Sequence, residues 1–265
     1  MHPVLFNIGP MTFYSFGLMA ALSLLVPGFF VVYPLLRRHG VPNADRLVLE
    51  IIIAAGVGGF AGARIYYLFQ HLSDVRHDVW GSIFTGSGFT WYGGLMGGIV
   101  AVAGLCLVRR APLTLMSNIV APAVALGYAI GRVGCQLAGD GDYGKPSHLP
   151  WAMGYPHGTV PTPPGVRVQP TPIYEILLML PIAWVLYRLA RKRRPGWYVF
   201  GWFLVLTGVE RFPIEFLRRN PHWLLGLTQP QWIAMVSIVI GTVMILVTRH
   251  REPVPSTGSV KQRRG

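Results

Sequence analysis

A chain of 265 residues that is 52% hydrophobic and only 12% charged carries about half the charge of a soluble domain, for which roughly 25% is usual. That excludes an ordinary water-soluble fold and makes lipid the expected solvent. The net charge of +13 does not imply nucleic acid, because the cations gather in alternate short segments between apolar runs, as they do in the cytoplasmic loops of membrane proteins.

A spanning helix needs about 20 mostly apolar residues. Runs of this kind lie at 11–36, 47–69, 88–108, 113–137, 172–190, 197–217 and 229–248. They predict an all-α membrane protein of seven transmembrane helices with a small periplasmic head. The first ten residues contain no Lys or Arg, so they do not read as the basic opening of a cleavable signal, and the first helix is expected to stay. With the N-terminus periplasmic and the C-terminus cytoplasmic, the inside segments hold Arg37, Arg38, Arg46, Arg109, Arg110, Arg188, the cluster 191–194 and the five cations after position 248. The outside segments hold Arg76, Lys145, Arg167, Arg218 and Arg219. This roughly threefold bias supports both the count and the orientation. Residues 1–248 read as one membrane domain, interrupted by a Gly- and Pro-rich periplasmic insertion at 138–171. Residues 249–265 read as a basic cytoplasmic tail near anionic lipid.

The two cysteines, Cys106 and Cys135, have neither disulfide-framework nor CxxC metal spacing. Small residues four apart, Gly58 with Gly62, Gly93 with Gly97, Gly94 with Gly98 and Gly127 with Gly131, predict close helix crossings in lipid.

Chemistry is expected where ionisable side chains stand inside apolar runs, since a charge at a helix centre costs about 2.5 to 3.5 kcal/mol on insertion scales. These residues are Arg64, Arg132, Glu175, Glu210, Arg211 and Glu215. In the sixth run, Arg211, Glu215 and Arg218 share one helix face by their i, i+4, i+7 spacing. Pro213 removes a backbone donor and should disturb the helix near its outer end. At the outer end of the fourth run, Arg132 is followed by Gly134, Gly139, Gly141 and Gly144, with Asp140, Asp142 and Tyr143 among them. Arginine matches phosphate with two parallel hydrogen bonds. Two arginine-bearing helix ends at one membrane depth therefore predict a binding site for an anionic lipid headgroup.

Several blocks together resemble the prolipoprotein diacylglyceryl transferase family: IGPMTFYSFGLM at 8–19, GARIYY at 62–67, GGLMGG at 93–98, VAP at 120–122, GRVGCQLAGDGDYG at 131–144, PTPIYE at 170–175, ERFPIEFLR at 210–218 and LTQPQW at 227–232. They run in the family's order over nearly the whole chain. The resemblance implies an inner-membrane enzyme that moves a diacylglyceryl group from phosphatidylglycerol to the lipobox cysteine in the signal peptide of a preprolipoprotein, releasing glycerol phosphate. It implies no metal or organic cofactor. It assigns Arg132 to the phospholipid headgroup and Arg211 to the reacting phosphate, with Gly144, Glu175, Glu215, Arg218, Gly93 and Gly94 in the substrate site. Where many members carry a histidine before the GGL block, this chain has Tyr92, a weak base at neutral pH that can still donate a hydrogen bond. Gln169, Phe16, Cys135 and Thr207 also depart from the family's usual residues. Two further readings stay open: a divergent paralogue that binds phosphatidylglycerol but uses another acceptor, and a non-enzymatic anionic lipid or anion transporter.

Overall fold

The computed structural model describes residues 1–9, 11–71 and 90–249, with the side chains of Met11, Trp91 and Tyr92 excepted. A hairpin of β1 (Val4–Ile8) and β2 (Met11–Tyr14) leads into α1 (Ser15–Pro27), a π-helical turn (Gly28–Val32) and α2 (Tyr33–Arg38). There follow α3 (Ala44–Gln70), α4 (Trp91–Val108), α5 (Leu113–Ala138), α6 (Thr171–Ala190) and α7 (Tyr198–Ile214). A two-stranded ribbon, β3 (His222–Leu224) with β4 (Leu227–Thr228), precedes α8 (Gln229–Thr248).

The fold is mostly helical, and its helices fall on the seven apolar runs. Among the described residues, five stretches are long and apolar enough to cross a membrane: Ser15–Arg38, Ala44–Gln70, Leu113–Ala138, Thr171–Ala190 and Gln229–Thr248; Gly93–Val108 is a shorter apolar helix. Two expected boundaries move. The first helix opens at Ser15, because Met11–Tyr14 pairs with Val4–Ile8 as a strand. The sixth run stops being helical at Ile214, one residue after Pro213, whose ring and missing N–H disfavour continuation.

Large apolar side chains such as Phe30, Leu177, Trp184, Val239 and Val247 face outward. Exposed apolar side chains along helices of this length suit contact with acyl chains.

The chain divides into two compact units, Met1–Val41 with Ser117–Gly265, and Pro42–Met116. The second unit is built on the crossing of α3 and α4. A Cβ on Gly97 would sit 2.2 Å from the Gly58 carbonyl oxygen, and one on Gly62 would sit 2.4 Å from that of Gly93. The glycine spacing there is a packing device, as the sequence predicts. Arg109 pairs with Glu50 in this unit, and Arg64, buried in α3, lies with its guanidinium 5.5 Å from the Tyr67 ring centroid.

In the first unit only half of the Gly127–Gly131 pair is used. A Cβ on Gly127 would meet the Ser23 carbonyl oxygen at 2.6 Å, whereas one on Gly131 would meet nothing within 4 Å. Gly201 and Gly241 also bring α7 and α8 close, with 2.9 Å from a Gly201 Cβ to the Gly241 carbonyl oxygen. Asn118 of α5 ties down the start of α7: it donates to the Gly196 carbonyl (2.8 Å) and accepts from the Val199 and Phe200 amides (3.0 and 3.1 Å).

Between Ala138, which ends α5, and Thr171, which begins α6, the segment contains no helix. The segment is ordered around its own small core. Tyr143 stacks on Tyr155 at 4.7 Å, Val168 packs against both, and Val168 forms bridges with Pro146 and Met153.

Candidate functional site

Three chain segments of the first unit bring their charges together: the end of α5 with the loop after it, the start of α6, and the end of α7 with the turn that follows. Each has a local reason to stop or start there. The α5 end runs into Gly139 and Gly141, both with positive φ (57° and 92°), where side chains are disfavoured. Helix α6 starts at Thr171–Pro172, and proline in a first turn loses no hydrogen bond. Helix α7 ends just beyond Pro213.

Glu175 stands at the centre. Its side chain is fully buried, and it pairs with three arginines: Arg132 Nε, Arg211 Nη1 at 2.9 Å and Arg218 Nη1 at 3.1 Å. Tyr128, one turn before Arg132, donates its hydroxyl to Glu175 Oε2 at 3.1 Å and accepts from Arg132 Nη2 at 2.9 Å. The Arg132 guanidinium also lies 4.8 Å from the Tyr128 ring centroid, a cation–π contact.

Glu215, equally buried, takes the other terminal nitrogen of Arg211 at 3.0 Å. It also accepts from the Thr228 hydroxyl at 3.0 Å and from the Asn220 side-chain amide. Thr228 begins α8 through a reciprocal cap with Gln231. The LTQPQW block is thus a helix start that also anchors a site carboxylate. Asp142 completes the network by pairing with both Arg132 and Arg218. Burial alone would raise its pKa, but the two guanidiniums hold its carboxyl below the ordinary carboxylate range.

A multiply paired network is the arrangement in which buried charge is tolerated. It fixes three guanidiniums in one small volume, since each is held at more than one nitrogen or to more than one carboxylate. Such a cluster is suited to an anion with several oxygens.

Sequence reasoning therefore located Arg132, Glu175, Arg211, Glu215 and Arg218, and the structure brings all five together. It missed Tyr128 and the pairing of Asp142. Tyr128 had a usable signal, since it stands at i−4 from Arg132 on the same helix face. Gly144 lies in the loop beside the network and is tightly enclosed: a Cβ there would meet the Leu217 carbonyl oxygen at 2.4 Å and Gln169 Cβ at 2.9 Å. Gln169 is structural in its contacts, accepting from the Gly144 amide at 2.8 Å and from the Tyr174 hydroxyl at 2.7 Å. Cys135 is buried with a free thiol, and Arg132 Nη1 donates to its sulfur at 3.5 Å. Glu210 is 6% exposed, and its Oε1 has no hydrogen-bond partner among the described residues.

Gly93 and Gly94 belong to the Pro42–Met116 unit, where Gly93 packs on Gly62 and Tyr66. Tyr92 is part of α4, but its side chain lies outside the described residues.

Comparison with known proteins agrees over nearly the whole chain. The family model described as prolipoprotein diacylglyceryl transferase matches residues 3–247. Proteins named phosphatidylglycerol–prolipoprotein diacylglyceryl transferase are similar throughout. That of Methylococcus capsulatus is 32% identical over 265 residues, covering 94% of this chain and 96% of the relative. That of Geobacter sulfurreducens is 30% identical over 258 residues, covering 94% and 96%. That of Clostridium tetani is 29% identical over 253 residues, covering 95% and 100%.

Proposed function

The chain belongs to the prolipoprotein diacylglyceryl transferase family, and we propose that it transfers the diacylglyceryl group of phosphatidylglycerol to the lipobox cysteine of preprolipoproteins in a bacterial inner membrane. The observation that carries this reading is the convergence of Arg132, Arg211 and Arg218 on one buried carboxylate, Glu175.

The reaction forms a carbon–sulfur bond at the diacylglyceryl methylene and breaks its bond to the phosphate oxygen. The thiol loses its proton, and glycerol phosphate leaves with the bonding electron pair. Positive charge is needed twice. The leaving phosphate gains charge as the bond breaks, and fixed guanidiniums in a site that excludes water stabilise that charge without having to reorganise. The thiol, with an ordinary pKa near 8.5, is drawn toward thiolate by the same cations. Arg132 holds the headgroup, Arg211 faces the reacting phosphate, Arg218 adds its charge to theirs, and Glu175 and Glu215 keep the arginines in place. Gly144, enclosed by the Leu217 carbonyl and Gln169, fixes the loop beside the arginines, while Gly93 and Gly94 seat α4 against α3. Tyr92 donates a hydrogen bond where other members carry a histidine.

The same reading has seven crossings, a periplasmic N-terminus, a periplasmic 138–171 segment and a cytoplasmic C-terminus. The five long apolar helices and the bias of basic residues support it. Phosphatidylglycerol labelled in its acyl chains tests the reaction. Label joined through a thioether to the cysteine of a lipobox peptide is expected. Label that only crosses the membrane unchanged would replace transfer by transport.

A further inference from the structure

Among the described residues, the ion pairs of the site join three arginines, Arg132, Arg211 and Arg218, to three carboxylates, Asp142, Glu175 and Glu215. A phosphate that reaches these arginines must take hydrogen-bond donors from a carboxylate. The three carboxylates differ in how readily they can yield. The side chains of Glu175 and Glu215 are 0% exposed, while that of Asp142 is 34% exposed. Glu175 is rooted in a helix, and Glu215 is the cap residue of another. Asp142 stands outside helix and strand, in the loop that begins with the positive-φ glycines Gly139 and Gly141. It also borders a cavity of about 390 Å³, lined with it by Gly141, Tyr143, Arg218, Arg219 and Asn220. Arg219 lies 4.4 Å from the Tyr143 ring centroid there, so a carboxylate turned outward meets water and another cation.

We propose that Asp142 is a displaceable counter-anion, which holds Arg132 and Arg218 oriented for a phosphate, swings toward the outer cavity as the phosphodiester arrives, and returns to release the phosphate monoester product. This rests on the reading that these arginines bind a phosphate. Carboxylate and phosphate oxygens accept from the same guanidinium donors, so the exchange replaces one anion by another without leaving a buried cation uncompensated, the costly alternative. It also answers a problem of release. A phosphate monoester held by three guanidiniums in a low-dielectric site leaves slowly unless another anion takes its place. Asp142 competes with substrate and product alike and makes no bond to either. It is a positioning residue whose effect falls on affinity.

The test is Asp142→Asn in the full-length protein, assayed in lipid nanodiscs with phosphatidylglycerol, a lipobox peptide and added glycerol phosphate. Asparagine keeps the size and the acceptor oxygen but removes the competing charge. The KM for phosphatidylglycerol should fall about tenfold, as expected from loss of one charge-assisted contact, and inhibition by glycerol phosphate should strengthen by a similar factor, while kcat does not rise. Asp142→Glu, which restores the charge, should return both constants toward wild type. An Asp142→Asn enzyme that loses kcat with unchanged KM and unchanged product inhibition would overturn the proposal. Should that variant fail to accumulate, hydrogen exchange of the wild-type protein serves instead. Glycerol phosphate is expected to speed exchange across 139–143, and exchange that stays the same or slows would count against displacement. A wild-type protein that neither binds nor consumes phosphatidylglycerol would remove the functional reading and this proposal together. Wild-type activity with an Asp142→Asn enzyme of unaltered affinities would remove this proposal alone.

Discussion

Arg211 divides its two terminal nitrogens between different carboxylates, Glu175 at 2.9 Å and Glu215 at 3.0 Å. A lysine ammonium is a point charge without that fork and cannot hold both while facing a phosphate. Arg211→Lys should therefore keep the protein folded and lower transfer by about tenfold or more, the worth of one charge-assisted hydrogen bond; full activity in that variant would contradict bidentate positioning. Asp142 gives a second test at this scale. Its folded pKa is depressed by Arg132 and Arg218 against the opposing effect of burial. Its contribution to stability is then present above the unfolded value, about 3.9, and lost as pH falls through the lower folded value. Melting temperature measured on acidification should fall more steeply for wild type than for Asp142→Asn; parallel curves would show that the pairing adds nothing. The arginines and Glu175 were legible in the sequence because an ionisable side chain in an apolar run is costly unless it meets a partner or lines a site. The pairing of Asp142 was not, because a carboxylate in a Gly-rich loop ordinarily faces water and only the fold carries Arg218 to it.

The crossing of α3 and α4 shows what a glycine pattern can and cannot tell. Gly58, Gly62, Gly93 and Gly97 were readable as a close contact, and each would place a Cβ within 2.7 Å of a partner's backbone oxygen. Gly104, on the same helix as Gly93 and Gly97, has nothing within 4 Å, and no feature of its spacing says so. Gly97→Leu should lower stability by about 1–3 kcal/mol, as overpacking does, while Gly104→Leu should be nearly neutral. Thermal unfolding in detergent would report it, and equal melting of the two variants would refute the crossing. The strands of the N-terminal hairpin were hidden for a related reason. Met11–Tyr14 is apolar enough to merge with the first helical run, and only its pairing with Val4–Ile8 separates them. The end of α7 was half legible, since Pro213 announced a disturbance without giving its position.

For the whole molecule, hydropathy alone set the order of the helices, because in lipid the backbone must satisfy its own hydrogen bonds and helices are the direct way to do so. Orientation comes from the placement of cations, which no packing contact reports. A reporter that is active only after export, fused within 138–171, should be active, and one fused after position 249 should be silent; the reverse pattern would invert the molecule. The central claim is that the arginine network serves transfer from a phospholipid to a thiol. Purified protein mixed with phosphatidylglycerol and a lipobox peptide should release glycerol phosphate in step with thioether formed. It should release none when the peptide cysteine is replaced by serine. No release, with phosphatidylglycerol still bound and an established transferase active alongside, would contradict the account and leave a lipid-binding relative with another acceptor.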